Sequence, residues 1–320
     1  MAWLVAGLAA PALAEELSVN AWLMRLHEAS RHKTYTGTFV VSASGHLASA
    51  KIWHVCDGDQ QIERVESLSG TPRATFRRND EVMTFFPAAR VAISESRDSL
   101  GLFPNLLKSP ASDIGAHYGI KHLGVERVAG LDAEVVQLQP RDALRYAYRV
   151  WSDQRSGLVV QLQTLDTDGK LLEQAAFSEL QLDAPVNKAK LSQMMDATQG
   201  YRVERRDVQK TTPQAQGWAM GKAVAGFQSA GCYTRPVSLL AGSSGRAEST
   251  MQWMFSDGLA TVSLFVESFD PTRHVREGAA ELGGATRTLT RRLGAWWITA
   301  VGEVPPATLA LFVQSLERRK

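Results

Sequence analysis

Cysteine is nearly absent, with only Cys56 and Cys232 in 320 residues. So few thiols exclude a disulfide scaffold; two separately buried thiols are expected, with a bridge between domains or chains left open. Basic residues are missing ahead of Arg25, although the run MAWLVAGLAAPALA ends in the small-residue pattern Ala12-Leu13-Ala14 of a signal-peptidase site. Residues 1–14 therefore read as a signal peptide lacking its basic start, with the mature chain beginning at Glu15; a short buried helix is the alternative. Long apolar runs are also missing, since 14 residues are too few to span a bilayer and no later stretch is longer. A soluble exported protein is the expectation. Charge of one sign is not in excess, 35 basic against 33 acidic side chains, so bulk electrostatics give no case for nucleic acid.

Catalytic signatures are missing as well. There is no HExxH, GxSxG, phosphate loop or dinucleotide fingerprint. His54 and Cys56 share a strand face but have no further ligands at useful spacing, and structural metal sites use three or four. Asp166 and Asp168 lack the remaining carboxylates of a calcium loop and read as turn formers. His117 and His122 read as solvent-exposed, and Glu179 with Asp183 makes no acid/base pair without a pocket. No enzyme, cofactor or metal is expected.

What is present is β periodicity. In the stretch from Tyr146 to Leu182, preceded by Leu144 and Arg145, residues Leu144, Tyr146, Tyr148 and Val150 alternate with Arg145, Ala147, Arg149 and Trp151, the pattern of a half-buried strand. Ser152 to Gly157 and Asp166 to Gly169 supply the turns of a three-stranded meander. Ahead of it, a helix is expected from a cap at Ser18 to about His32, burying Trp22, Leu23, Leu26 and Ala29. Short strands then follow one another from Tyr35, interrupted by a Pro-containing interval, residues 94–118, with Leu102-Phe103 and Leu106-Leu107. One helix with many antiparallel strands predicts an α+β, mainly β fold: a curved sheet or incomplete barrel over residues 15–201. The polar stretch 202–217 reads as a basic, mobile linker. Residues 218–320 form a small α+β domain closed by a helix starting near Pro305-Pro306.

Three features could bind a partner. Trp53, Phe76, Phe85, Phe86 and Trp151 are candidates to line an apolar cavity in the curved sheet, each weighed against an ordinary packed core. Arg73, Arg77 and Arg78 cluster at one hairpin, and Arg287, Arg291 and Arg292 at a Gly-rich turn; guanidinium forks suit phosphates and carboxylates, although a solvated strand face is the blander reading. The linker, with Arg205 and Arg206, leads into Trp218 and Phe227 and opens a cleft suited to an extended peptide.

Taken together, TYTGTFVV, SGTPRATFRRNDEVMTFF, YAYRVWSDQRSGLVVQLQTLDTDGKLLEQ, FSDGLATVSLFVE and ITAVGEVPPAT resemble the RseB/MucB family of periplasmic sigma-E regulators over nearly the whole mature chain. At the junction the family's usual run of tryptophans, Leu-Pro and Gly-Phe is kept at Trp218 and Gly226-Phe227 but departs at Lys222 and Ala223-Val224. The resemblance implies a non-enzymatic negative regulator in the periplasm. It would bind the periplasmic segment of an RseA/MucA-type anti-sigma factor, shield it from proteolysis and let go on lipopolysaccharide or lipid signals. It also implies that the larger domain is similar to the lipoprotein carriers LolA and LolB and offers the apolar cavity, for which Trp53, Phe76, Phe85, Phe86, Trp151, Arg77 and Arg78 are the lipid-binding candidates. Arg205, Arg206, Trp218, Phe227, Arg287, Arg291 and Arg292 are then the candidates for the anti-sigma contact. A homo-oligomer is left open, and the rival reading is a lipid or lipoprotein carrier.

Overall fold

The computed structural model describes residues 10–58, 60–96, 103–107, 113–206, 208–236 and 249–319. Most of the expected signal peptide, and Leu102, lie outside them. Two sheets dominate. The larger is an open ribbon of twelve strands in the order Arg202–Arg205, Val91–Ser96, Glu81–Phe86, Ala74–Arg78, Gln60–Ser67, His46–Asp57, Tyr35–Ala43, Leu171–Leu182, Val159–Leu165, Ala147–Asp153, Leu131–Pro140 and Tyr118–Val128. Neighbours run antiparallel except at the first edge, where Arg202–Arg205 lies parallel to Val91–Ser96. Turn chemistry explains the meander: Ser44 and Gly45 both take positive φ between the Tyr35–Ala43 and His46–Asp57 strands, as a tight hairpin requires. Gly37 is needed for a different reason, because a Cβ there would strike the Glu179 carbonyl and the Phe177 ring.

Helix α1, Ala10–His32, begins earlier than a Ser18 cap would allow; Ser18 lies inside it. Its stripe of Val19, Trp22, Leu23, Leu26 and Ala29 is buried against the sheet in one cluster with Phe39, Ile52, Phe103, Leu106, Leu107, Val150 and Val160. The Pro-containing interval thus contributes core residues. The strand Ala147–Asp153 departs from the half-buried expectation: Tyr148, Val150 and also Trp151 are buried, and Arg145, assigned to the outward row, is fully enclosed.

The opposite face of the large sheet carries α2, Lys188–Asp196, capped by the Asn187 side chain accepting from the Lys190 amide. This cap satisfies a first-turn amide that the helix itself leaves unpaired. Leu191 packs on Val55 and Ile62, while Met195 packs on Phe76, Met83, Phe85 and Ala92.

The second sheet has seven strands among the described residues, in the order Gln209–Lys210, Gln228–Pro236, Ser249–Ser256, Thr261–Ser268, Trp296–Gly302, Thr286–Leu293 and Gly278–Gly283. Helix α3, Pro306–Ser315, starts with a proline as expected and buries Leu309, Phe312 and Val313 against that sheet. The stretch read as a mobile linker is held at two places, by the parallel pairing of Arg202–Arg205 and by Gln209–Lys210 pairing with Thr234 and Tyr233.

Candidate functional site

The helix-α1 face of the large sheet is only partly covered. Where α1 ends its contact, Phe39, Val41, Ala50, Val65, Thr75 and Phe86 wall an open cavity of about 400 Å³, with Arg73 and Ser69 also in its lining. That volume falls within the roughly 300–1,000 Å³ of small-ligand sites, and the pairing of an apolar wall with a few polar groups is their usual composition. Register places these side chains together: Val65 faces Thr75 and Thr75 faces Thr84 across the ladder.

The structure does not bring the five aromatic candidates to one surface. Phe86 alone of them lines this cavity. Phe76 and Phe85 sit on the other face, stacked edge-on at 5.7 Å between centroids beneath α2. Trp53 is on that other face too, opposite Arg64, whose guanidinium lies 4.6 Å from the ring; it borders a second groove with Met194 and Leu191. Trp151 is core, and its indole donates to Glu126 at 2.9 Å. Arg77 is buried and engages Glu63, Gln61 and the Asn79 carbonyl. Arg78 pairs with Glu81 and Asp196, and these carboxylates raise its pKa through charge-assisted hydrogen bonds. Neither guanidinium points to the cavity lining, whereas Arg73, not among the seven lipid candidates, does.

The second set is similarly divided. Arg205, Arg206, Arg291 and Arg292 are exposed; Arg292 also lies 3.8 Å from the centre of the Phe269 ring. Arg287 is buried and donates to the Gly284 carbonyl at 2.8 Å. Trp218 and Phe227 belong to the core under the second sheet. Val224, at the point where the junction departs from the family pattern, is buried in that same core.

What sequence reasoning missed is the contact between the sheets. Arg145, 0% exposed, donates from Nε to Asp257 at 2.8 Å, from Nη2 to the Ala225 carbonyl at 2.7 Å, and also to Asp142. Its guanidinium lies 4.8 Å from the Phe227 ring centre, and Tyr118 donates its hydroxyl to the same Asp257 carboxylate at 3.3 Å. Burial pushes the Tyr118 phenol well above its usual range, so it remains a donor. Gly226 is obligatory beside it: φ is +76° and a Cβ would collide with Arg145 and His117. Side chains also cross over, for Leu144 packs on the core of the second sheet and Leu259 joins the core of the first. A further contact joins the hairpin tips, Ser44 accepting from the Gly284 amide at 2.9 Å. The available signal was a lone arginine and a lone aspartate inside apolar motifs at strand ends, ALRYAY and FSDG, that alternation assigns to solvent.

The N-terminal domain profile of MucB/RseB matches residues 18–195, and the C-terminal domain profile of MucB/RseB matches residues 212–317. The chain belongs to the MucB/RseB family. Among curated relatives, the sigma factor AlgU regulatory protein MucB of Pseudomonas aeruginosa is 27% identical over 95% of this chain and 92% of its own length. The sigma-E factor regulatory protein RseB of Haemophilus influenzae is 25% identical over 96% of this chain and 94% of its own. Both are named as regulators. Among solved structures, MucB in the MucA/MucB complex of Pseudomonas aeruginosa superposes with a TM-score of 0.72 at 25% identity, covering 95% of this chain and 99% of that one. For a MucB/RseB protein, then, both sheets and the junction between them fall within the region shared with its relatives. Among the described residues no group of three or more metal-ligating side chains occurs, and no helix is long and apolar enough to cross a membrane.

Proposed function

We propose that this chain is a periplasmic negative regulator of an envelope-stress sigma factor, acting by holding the periplasmic segment of a MucA-type anti-sigma factor. The observation that carries this reading is similarity along the whole length, second sheet included, to MucB in its complex with MucA. In this reading the chain is organised as a lipid-sensing unit over 15–201, a connector over 202–217 and a partner-binding unit over 218–320. The anionic peptide contact falls to the exposed Arg205, Arg206, Arg291 and Arg292. Lipid enters the cavity walled by Phe39, Val41, Ala50, Val65 and Phe86, with Arg73 meeting the headgroup. Lipid and peptide compete only if they favour different arrangements of the two sheets, and the Arg145–Asp257 contact is the element both would bias.

The test is titration of the purified chain with the periplasmic peptide of the host's anti-sigma factor, followed by tryptophan fluorescence, with and without lipopolysaccharide. Peptide binding that lipopolysaccharide weakens is the expected result. Lipid binding with no peptide binding would transfer the assignment to a lipid or lipoprotein carrier, whose cavity would look the same.

A further inference from the structure

At the C-terminal end of α1, three side chains from two elements form a chain of contacts unrelated to the lipid cavity or the sheet junction. Cys56, half-buried on the His46–Asp57 strand, has its Sγ 3.6 Å from Nδ1 of His32. Nε2 of the same ring lies 3.0 Å from the Glu28 carboxylate. A carboxylate can only accept, so in the neutral ring the tautomer with its proton on Nε2 suits Glu28 and turns the Nδ1 lone pair to the thiol, at a pair whose side chains are each 56% exposed. This is the order nucleophile, base, orienting acid that activates thiols. The Gly58 carbonyl, 3.5 Å from Sγ, is the competing acceptor. Both His32 and Gly58 border an open recess of about 380 Å³, together with Arg31, Arg77, Gln61 and Asp80. The charged and titratable groups around the thiol region among the described residues include Glu28, Arg31, Arg77 with its partner Glu63, Asp80, the Asp57–Lys188 pair, and His27 and His54, which both interact electrostatically with His32. Cys232 offers the contrast: it is 4% exposed, and burial raises its pKa.

We propose that Cys56 is a reactive thiol, activated by His32 and Glu28, that exchanges with small carboxylate-bearing disulfides admitted through the recess. His32 takes the Sγ proton at Nδ1 while Glu28 meets the imidazolium charge at Nε2. The Cys56 thiolate attacks one sulfur of the disulfide, a new S–S bond forms, and the old one breaks. The departing thiolate takes up the proton, so Cys56–SH and RSSR become Cys56–SSR and RSH with no external oxidant. The product places a carboxylate-bearing adduct beside Arg31 at the end of α1.

The probe is 5,5′-dithiobis(2-nitrobenzoate), a dianionic aromatic disulfide, reacted with the whole folded chain. One fast thiol per chain is expected, absent in Cys56→Ser and kept in Cys232→Ser. His32→Gln should slow that phase at least ~10-fold, the low end of general-base assistance being larger still, and move its pH dependence to that of an unassisted thiol. Glu28→Gln should shift rate and pH profile the same way by less. Arg31→Gln should slow the dianionic reagent but not neutral 2-hydroxyethyl disulfide. Circular dichroism confirms the fold of each variant. A Cys56 that reacts at the rate and pH profile of free cysteine, unchanged in His32→Gln, overturns the activation; equal effects of Arg31→Gln on both reagents overturn the recess as the anion's entry.

Discussion

The two halves of the large sheet are finished differently. In the half formed by Leu131–Pro140, Ala147–Asp153 and Val159–Leu165, the residues Val135, Val136, Leu138, Val150 and Val160 are each no more than 1% exposed. In the other half Val41, Ala50 and Phe86 remain half-buried around the cavity. The same alternation of apolar residues runs through both. The difference lies in how fully they are covered: α1, Leu259 and the core around them enclose the first group, whereas the covering is incomplete around Val41, Ala50 and Phe86, although the end of α1 reaches the neighbouring strands at Cys56 and Gln61. A curved sheet thus keeps a ligand-sized opening by leaving part of its length without a lid.

Removing the closure at its most charged point should have the largest effect. Arg145→Ala strands Asp257 in a buried site, and breaking a buried pair costs about 3–5 kcal/mol; urea unfolding should show this loss and a less cooperative transition as the sheets uncouple. Asp257→Leu combined with Arg145→Met should recover much of it, since a buried pair replaced by apolar groups of similar volume is near neutral. Next comes a paired truncation that contrasts the halves. Leu138→Ala should cost roughly 2–5 kcal/mol through the cavity it leaves, while Val41→Ala, beside space that is already open, should cost under about 1 kcal/mol yet weaken lipid binding. Equal costs would mean the cavity is not open in solution.

The smallest effect is on pH dependence. His54 is buried against Tyr35 with its rings stacked at 5.0 Å, and desolvation lowers its pKa from 6.5. Because the folded imidazole resists protonation, the unfolded chain takes up the extra proton as pH falls below about 6.5, and stability declines there until the folded pKa is passed. His54→Phe should flatten that part of the stability curve. His27, also lowered by burial, keeps a residual slope.

Much of this fold was readable because turns and caps are local. Asp166 to Gly169 and Pro305-Pro306 each act through their own backbone geometry, and each falls where expected. The cavity was not readable to the same degree. Period-2 alternation separates Phe85 from Phe86 on one strand but does not say which of the two looks toward α1; that depends on where α2 lands, and only one helix was expected over residues 15–201. Charge misled for a related reason. Arg77 sits in an alternating strand and Arg145 in the bend just ahead of one, in sequence patterns where basic residues are usually exposed, and partners distant in sequence, Glu63 for one and Asp257 for the other, help make their burial tolerable. The exposed Arg205, Arg206, Arg291 and Arg292 carry no such partner requirement.

The parallel pairing of Arg202–Arg205 has a mechanical consequence. That strand belongs to the first edge of the ribbon, while Tyr118 and Arg145, which grip the second sheet, belong near the last. Twelve strands at about 4.8 Å spacing make a ribbon some 50 Å wide if laid flat, and the second sheet is tethered to one border and docked at the other. It sits as the clasp of an open bracelet, fastened at both borders and touched midway where Ser44 accepts from Gly284, so that any widening or narrowing of the band would strain the clasp.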